Sequence, residues 1–228
     1  MKQQQGATLI VVLIILVIVT LLGTIAVKTG ILGLKIATNS QVSGLLLENS
    51  DAALFNIENP NEVARQLALD GMFAYFNSSS NANDELVFCY RAAENSFFSL
   101  AKASAITPTG STTKIGIDGF CKANQFATGR SAVLSQVYLT RASTASTPFG
   151  SAPKGTSLGQ SNVPATSNNI GATVISVLPS FAGASSTDIE NCFKRPASTV
   201  GTCFDGLGIP YNMQHSDYVV GGQPKLAS

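Results

Sequence analysis

The sequence predicts an α+β chain: a long N-terminal helix, apolar enough at its start to cross a membrane, then a β-rich domain closed by disulfides. Three observations carry this reading. Ala7 to Val27 is a run of 21 uncharged residues in a 228-residue chain whose charged residues make up 12%. Short β-branched and aromatic runs recur from Leu86 to Leu178, bounded by Gly, Pro, Asn and Ser. All four cysteines, Cys89, Cys121, Cys192 and Cys203, lie beyond the apolar run and so on one side of any membrane it spans.

The apolar run comes first. A hydrocarbon core of roughly 30 Å needs about 20 helical residues at about 1.5 Å each, so residues 7–27 suffice for one crossing. Past it, Leu34, Ala37, Val42, Leu45, Leu46 and Ala53 recur at helical spacing with polar residues between, which predicts an amphipathic continuation over 28–59. Gly23, Gly30 and Gly33 each cost about 1 kcal/mol relative to alanine inside a helix. They are either contacts for a neighbouring helix or a segment that loosens on assembly. Asn59-Pro60 ends the helix, because a residue before proline disfavours the helical region.

A globular domain is expected over 60–228. Pro60 and Glu62 suit the first turn of a second helix, and Val63, Leu67, Met72, Phe73 and Phe76 form its apolar stripe. A loop follows over 77–84. Strands are expected over 86–90, 97–100, 113–117, 133–139 and 173–178. Residues 142–169, rich in Ser, Thr, Ala, Gly, Asn and Pro, read as a long surface loop. The tail from Phe181 to Ser228 reads as loop held by the last two cysteines.

Four cysteines on one side of a membrane suit two disulfides in an oxidising space. They allow three connectivities; the one that closes the shortest loops is Cys89–Cys121 with Cys192–Cys203, and free buried thiols are the alternative. Zinc would want CxxC spacing or several histidines, and the chain has one, His215.

The start of the chain discriminates between three signals. A cleaved secretory signal has an apolar stretch of roughly 7–15 residues and a small-x-small site; this run is longer, and Thr24-Ile25-Ala26 is a poor match. A plain signal anchor fits the length and gives Gly6 no meaning. The segment QQQGATLIVVLIILVIVTLLG resembles instead the class III signal of type IV prepilins: a short polar leader, a glycine at the cut, a small residue, then a long apolar helix. The resemblance implies a leader over 1–6, cleavage by prepilin peptidase between Gly6 and Ala7, and N-methylation of the new amine at Ala7.

One position departs from the family. Most pilins carry glutamate at the fifth mature position, and here that position is Val11. A carboxylate inside hydrocarbon costs a few kcal/mol or more unless paired. In major pilins it is held to pair with the amine of a subunit already in the fibre, so a subunit without it is suited to be placed first, at the tip. GspK-type pseudopilins of type II secretion share this absence. The longer stretch from Gly6 to Glu58, with Ala37-Thr38-Asn39-Ser40 and Asp51-Ala52-Ala53-Leu54, looks like the N-terminal region of PilX-type minor pilins; it covers about the first 60 residues.

That resemblance implies a pilin-like fold, the long helix packed on a small antiparallel sheet with disulfide-stapled C-terminal loops. It implies a structural subunit of a type IV pilus that primes assembly and sits in a tip complex. The implied partners are other minor pilins and the major pilin through the N-terminal helix, a large tip adhesin, prepilin peptidase and the inner membrane of a Gram-negative cell. The domain would lie in the periplasm and then on the fibre. Adhesion and twitching motility would follow indirectly.

Nothing in the sequence marks catalysis or a cofactor. His215-Ser216-Asp217 are adjacent, whereas triad members converge from different directions, and no GxSxG elbow accompanies them. No P-loop or GxGxxG pattern appears. Asp188 with Glu190, and Asp205 with Asp217, lack calcium-loop spacing and read as surface. Net charge is +1, unevenly spread: eight acids against Arg65 and Arg91 between Glu48 and Glu94, then six basic residues against Asp118 between Lys102 and Lys154. The second segment is a candidate DNA-receptor surface for natural transformation. Without interleaved aromatic residues, a solvated face is the simpler reading of it.

Overall fold

The computed structural model describes residues 5–59, 61–68, 70–94, 96–128, 132–141, 168–181 and 183–220. The chain divides into two compact units, residues 1–42 and 43–228. Helix α1 (Gln5–Glu58) provides the described part of the first and opens the second. In the first unit every side chain from Thr8 to Ala37 is exposed. The threonines within it do not leave their hydroxyls unpaired: Thr20, Thr24 and Thr29 donate to the carbonyls of Val17, Leu21 and Ile25 at 2.8–3.0 Å. The helix therefore satisfies its own polar groups, as an apolar surrounding demands.

The second unit is built on a five-stranded antiparallel sheet in the order β2-β1-β3-β4-β5: β1 (Glu85–Tyr90), β2 (Ser104–Ile106), β3 (Leu134–Arg141), β4 (Asn168–Val177) and β5 (Tyr211–Val220). Alternation along the strands sends two sets of apolar side chains to opposite faces. On one face Leu86, Phe88, Val137, Leu139, Ala172 and Val174 pack with Ala53 and Ile57 of α1 and with Met72, Phe73 and Phe76. A chain of buried hydroxyls pins the helix there: Ser50 Oγ donates to Ser176 Oγ at 2.8 Å, and Ser176 Oγ lies 2.8 Å from Ser135 Oγ.

On the other face Val87, Leu134, Tyr138, Ile175 and Val177 meet α3 (Ser186–Phe193) and α4 (Ala197–Gly206). The tail expected to be loop thus holds, as far as Val220, two helices and a strand. Ser185 caps α3, its Oγ accepting from the Asp188 N–H at 3.1 Å, and Pro196 leads into α4. Ile189, Cys192 and Phe193, then Val200, Cys203 and Phe204, sit at the three-four spacing of a buried stripe. Gln136 ties this layer to the sheet, its Nε2 donating to Phe193 O at 2.8 Å while its Oε1 accepts from Cys121 N at 2.8 Å.

Three further expectations need correction. The second helix is one turn, α2 (Val63–Gln66), followed by a tight fold-back and a 3-10 turn over Ala74–Asn77. Gly71 lies so close to the Arg65 and Gln66 carbonyls that a Cβ there would collide with them. Met72, Phe73 and Phe76 are nevertheless core. Residues 97–100 are not a strand: Phe97 and Phe98 each stand edge-on to Phe88, ring centroids 5.2 Å apart, and the strand lies at Ser104–Ile106 instead. Residues 113–117 are irregular, held by Lys114, whose Nζ reaches the buried Asp84 carboxylate at 2.5 Å and Ser80 O at 2.8 Å. The loop expected over 142–169 lies outside the described residues up to 167, and β4 begins at Asn168.

Candidate functional site

The first candidate is the exposed stretch of α1. The Gly6–Ala7 bond lies in its first turn, and Val11 stands 54% exposed. Leu9, Leu16, Ile18, Leu22, Ile25 and Leu32 are each 51–68% exposed. Leaving one such side chain in water rather than burying it costs roughly 1.5–3 kcal/mol, so a helix apolar on all sides requires an apolar surrounding. The helix is long and apolar enough to cross a membrane by length and composition.

Along the same stretch small residues form a row that apolar periodicity does not reveal. Gly23, Ala26, Gly30, Gly33, Ala37 and Ser40 follow one another at alternating steps of three and four, which keeps all six on one face. Lys28 and Lys35 fall away from that face. A Cβ added to Gly23, Gly30 or Gly33 would meet nothing within 4 Å, so these glycines accommodate no contact among the described residues. Stepwise spacing was the available signal.

The four cysteines form Cys89–Cys121, with Cα atoms 4.8 Å apart, and Cys192–Cys203, at 5.6 Å. The first joins β1 to the loop before β3; the second joins α3 to α4. Beside Cys89 opens a groove of about 780 Å³ lined by Arg91, Glu94, Phe97, Lys102, Asp118 and Phe126 among others. Its charges are largely spent on one another. Glu94 is bracketed by Arg91 and by Lys102 Nζ at 2.5 Å. The Lys102 hydrogen bond holds the Glu94 carboxyl below the usual carboxylate range.

His215 sits on β5, where the strand pairing brings Thr173 opposite it. Thr173 Oγ1 lies 2.8 Å from His215 Nδ1, and His215 Nε2 lies 3.2 Å from Asp217 Oδ1. Hydroxyl, imidazole and carboxylate thus stand in a row, with Ser216 turned to the opposite face. Gly171 makes room for them, since a Cβ there would lie 3.1 Å from both His215 Cε1 and Thr140 Oγ1. The order resembles a hydrolase relay, but its three groups lie side by side on one open face of two paired strands. The His215 and Asp217 side chains are 54% and 68% exposed, with no enclosing cavity among the described residues. The arrangement is a surface polar cluster.

The acidic pairs are also separately engaged. Asp188 Oδ2 accepts from Ser185, Glu190 Oε1 from the Ala123 N–H, and Asp205 Oδ2 from the Tyr211 hydroxyl. Among the described residues no three His, Cys, Asp or Glu side chains gather as metal ligands. In the basic segment, Lys102, Lys114 and Lys122 each face a carboxylate, that of Glu94, Asp84 and Asp118 respectively. Arg130 and Lys154 lie outside the described residues. A group that sequence reasoning passed over is Glu85, whose Oε2 accepts from the Ala197 N–H at 2.9 Å at the start of α4. Burial pushes its carboxyl up, and the Ala197 bond partly opposes that. No family model, curated protein or solved structure matches this chain.

Proposed function

We propose that this chain is a minor pilin of a type IV pilus, of the PilX type, acting as a structural subunit rather than a catalyst. The observation that supports it most is the stretch of α1 from Thr8 to Ala37, exposed throughout and uncharged as far as Val27, carried by a disulfide-bonded α+β domain. Prepilin peptidase removes residues 1–6, and the amine of Ala7 is methylated. Residues 7–27 hold the subunit in the inner membrane with the domain in the periplasm, then pass into the fibre core among the helices of the major and minor pilins. Association there rests on close van der Waals packing, since lipid is as apolar as leucine, and small residues let backbones approach. The row of small side chains from Gly23 to Ser40 suits that role. Val11 suits placement at the tip beneath a large adhesin.

Val11 favours equally a tip pseudopilin of type II secretion, and the genes beside this one separate the two. For nucleic acid the paired lysines leave less free positive charge than the sequence suggests. Binding that falls steeply with salt is the signature of that reading. The pilin reading is tested on filaments sheared from cells. The chain is expected in the sheared fraction, and its deletion is expected to lower the number of surface filaments. A chain confined to the membrane fraction, with filaments unaffected by its deletion, would contradict the proposal.

A further inference from the structure

The sheet has two edges of unlike character. At one, β2 is three residues long and all three are buried. At the other, β5 runs for ten residues in unbroken register with β4, from Tyr211↔Val177 to Val220↔Asn168, and none of residues 211–218 is buried. An open edge is a row of unpaired N–H and C=O groups, and proteins usually blunt it with proline, lysine, a bulge or a cover. β5 has no proline, no lysine or arginine and no bulge, and its one carboxylate is Asp217.

Two features beside this edge say what would pair with it. On the face that β5 turns towards α1, the side-chain oxygens Asn212 Oδ1 and Gln214 Oε1 are shut off from water and have no donor among the described residues. Such an acceptor is costly to leave unmade. They are alternate residues of an edge strand, so a strand laid alongside brings its own alternate side chains next to both. Among the described residues, three carboxylates lie along this rim. Asp217 projects from β5, Asp205 accepts from Tyr211 at one end, Glu58 accepts from Tyr218 at the other, and all three are exposed.

We propose that β5 is a docking edge for an extended, basic peptide segment of another protein, which adds to the sheet as a sixth antiparallel strand. Main-chain hydrogen bonds supply the affinity, and alternate side chains supply the selection. Donor-bearing residues fall next to Asn212 and Gln214, a lysine or arginine falls opposite Asp217, and an apolar residue falls opposite Met213, which is 47% exposed. The proposal does not rest on the role of the N-terminal helix and would survive its failure.

The probe is a labelled ten-residue peptide with threonine at the alternate positions that fall next to Asn212 and Gln214, and on its other face valine opposite Met213 and lysine opposite Asp217. It is added to the full-length protein in detergent micelles, with anisotropy and amide hydrogen exchange as readouts. The expected result is saturable binding with protection confined to β5. A composition-matched peptide interrupted by two prolines should not bind. Replacing lysine by glutamate in the peptide, or Met213→Lys in the protein, should each weaken binding by about tenfold or more. Met213 is exposed enough that this change spares the fold. No binding at millimolar peptide, protection outside β5, or equal binding of the proline-interrupted peptide would overturn the proposal.

Discussion

Two stretches of the same helix face opposite conditions. From Thr8 to Ala37 α1 has no buried side chain, and Leu16 and Ile18 are 60% and 51% exposed; from Ser43 to Glu58 the helix buries Leu46, Ala53 and Ile57 to 4% or less. Backbone and hydrogen-bonding pattern are alike in both. The difference lies in how apolar residues are distributed around the axis. An all-round apolar helix must find an apolar surrounding on every side, whereas a one-sided helix needs one sheet. Hydroxyls differ in reach: those of Thr20 and Thr24 turn back to their own helix, while that of Ser50, 3.1 Å from its own Leu46 O, also reaches across to Ser176. One stretch is addressed to its surroundings and the other to its own domain.

The strongest way to break that comparison is a charge in the exposed stretch. Leu16→Asp should abolish retention in the membrane and entry into filaments, because an acid near the middle of a spanning helix costs about 2.5–3.5 kcal/mol on insertion scales. Denaturant unfolding of the domain should not change. Next is the reverse experiment. Ile57→Ala leaves a cavity between α1 and the sheet and should lower domain stability by about 2–5 kcal/mol with membrane retention intact, as unfolding and fractionation together would show. Equal effects of both changes on both readouts would remove the distinction.

Smaller effects sharpen it. Gly30→Leu adds a bulky side chain where nothing lies within 4 Å in the free protein. It should leave domain unfolding within about 0.5 kcal/mol of the parent yet reduce the chain recovered in sheared filaments. The mildest test comes from the far side of the sheet, at Glu85. Burial raises its folded-state pKa above the ordinary 4.5, so the folded protein holds that proton more tightly than the unfolded chain does. Stability is therefore greatest with respect to this group below about pH 4.5 and declines as pH rises through the raised value. Glu85→Gln keeps an acceptor for the Ala197 N–H and should flatten that decline, measured as unfolding free energy against pH.

The sequence was most legible where one property dominates a long window. Twenty-one uncharged residues could only be a buried or spanning helix, and β1, β3 and β4, buried on both faces, show as β-branched and aromatic runs. β5 could not be seen that way. Tyr-Asn-Met-Gln-His-Ser-Asp-Tyr alternates polar with polar, because an edge strand with one half-open face needs little apolar material. Helices α3 and α4 were hidden by weak helix formers, Ser, Thr, Cys and Gly, and by Pro196 between them; their short apolar stripes outweigh propensity once Phe193 and Phe204 are packed on the sheet. Phe97-Phe98 reads as a strand and is a plug against Phe88. The pairing of Thr173 with His215 depends on strand register and has no local signature.

A minor pilin must carry a processed N-terminal helix, and the most direct test is the intact mass of the native membrane-extracted chain, with and without prepilin peptidase, before and after reduction. The expected chain begins at Ala7, with or without one added methyl group, and is four hydrogens lighter before reduction than after, one pair for each disulfide. A chain that still begins at Met1 in the presence of the peptidase would contradict the account and leave a signal-anchored domain in its place.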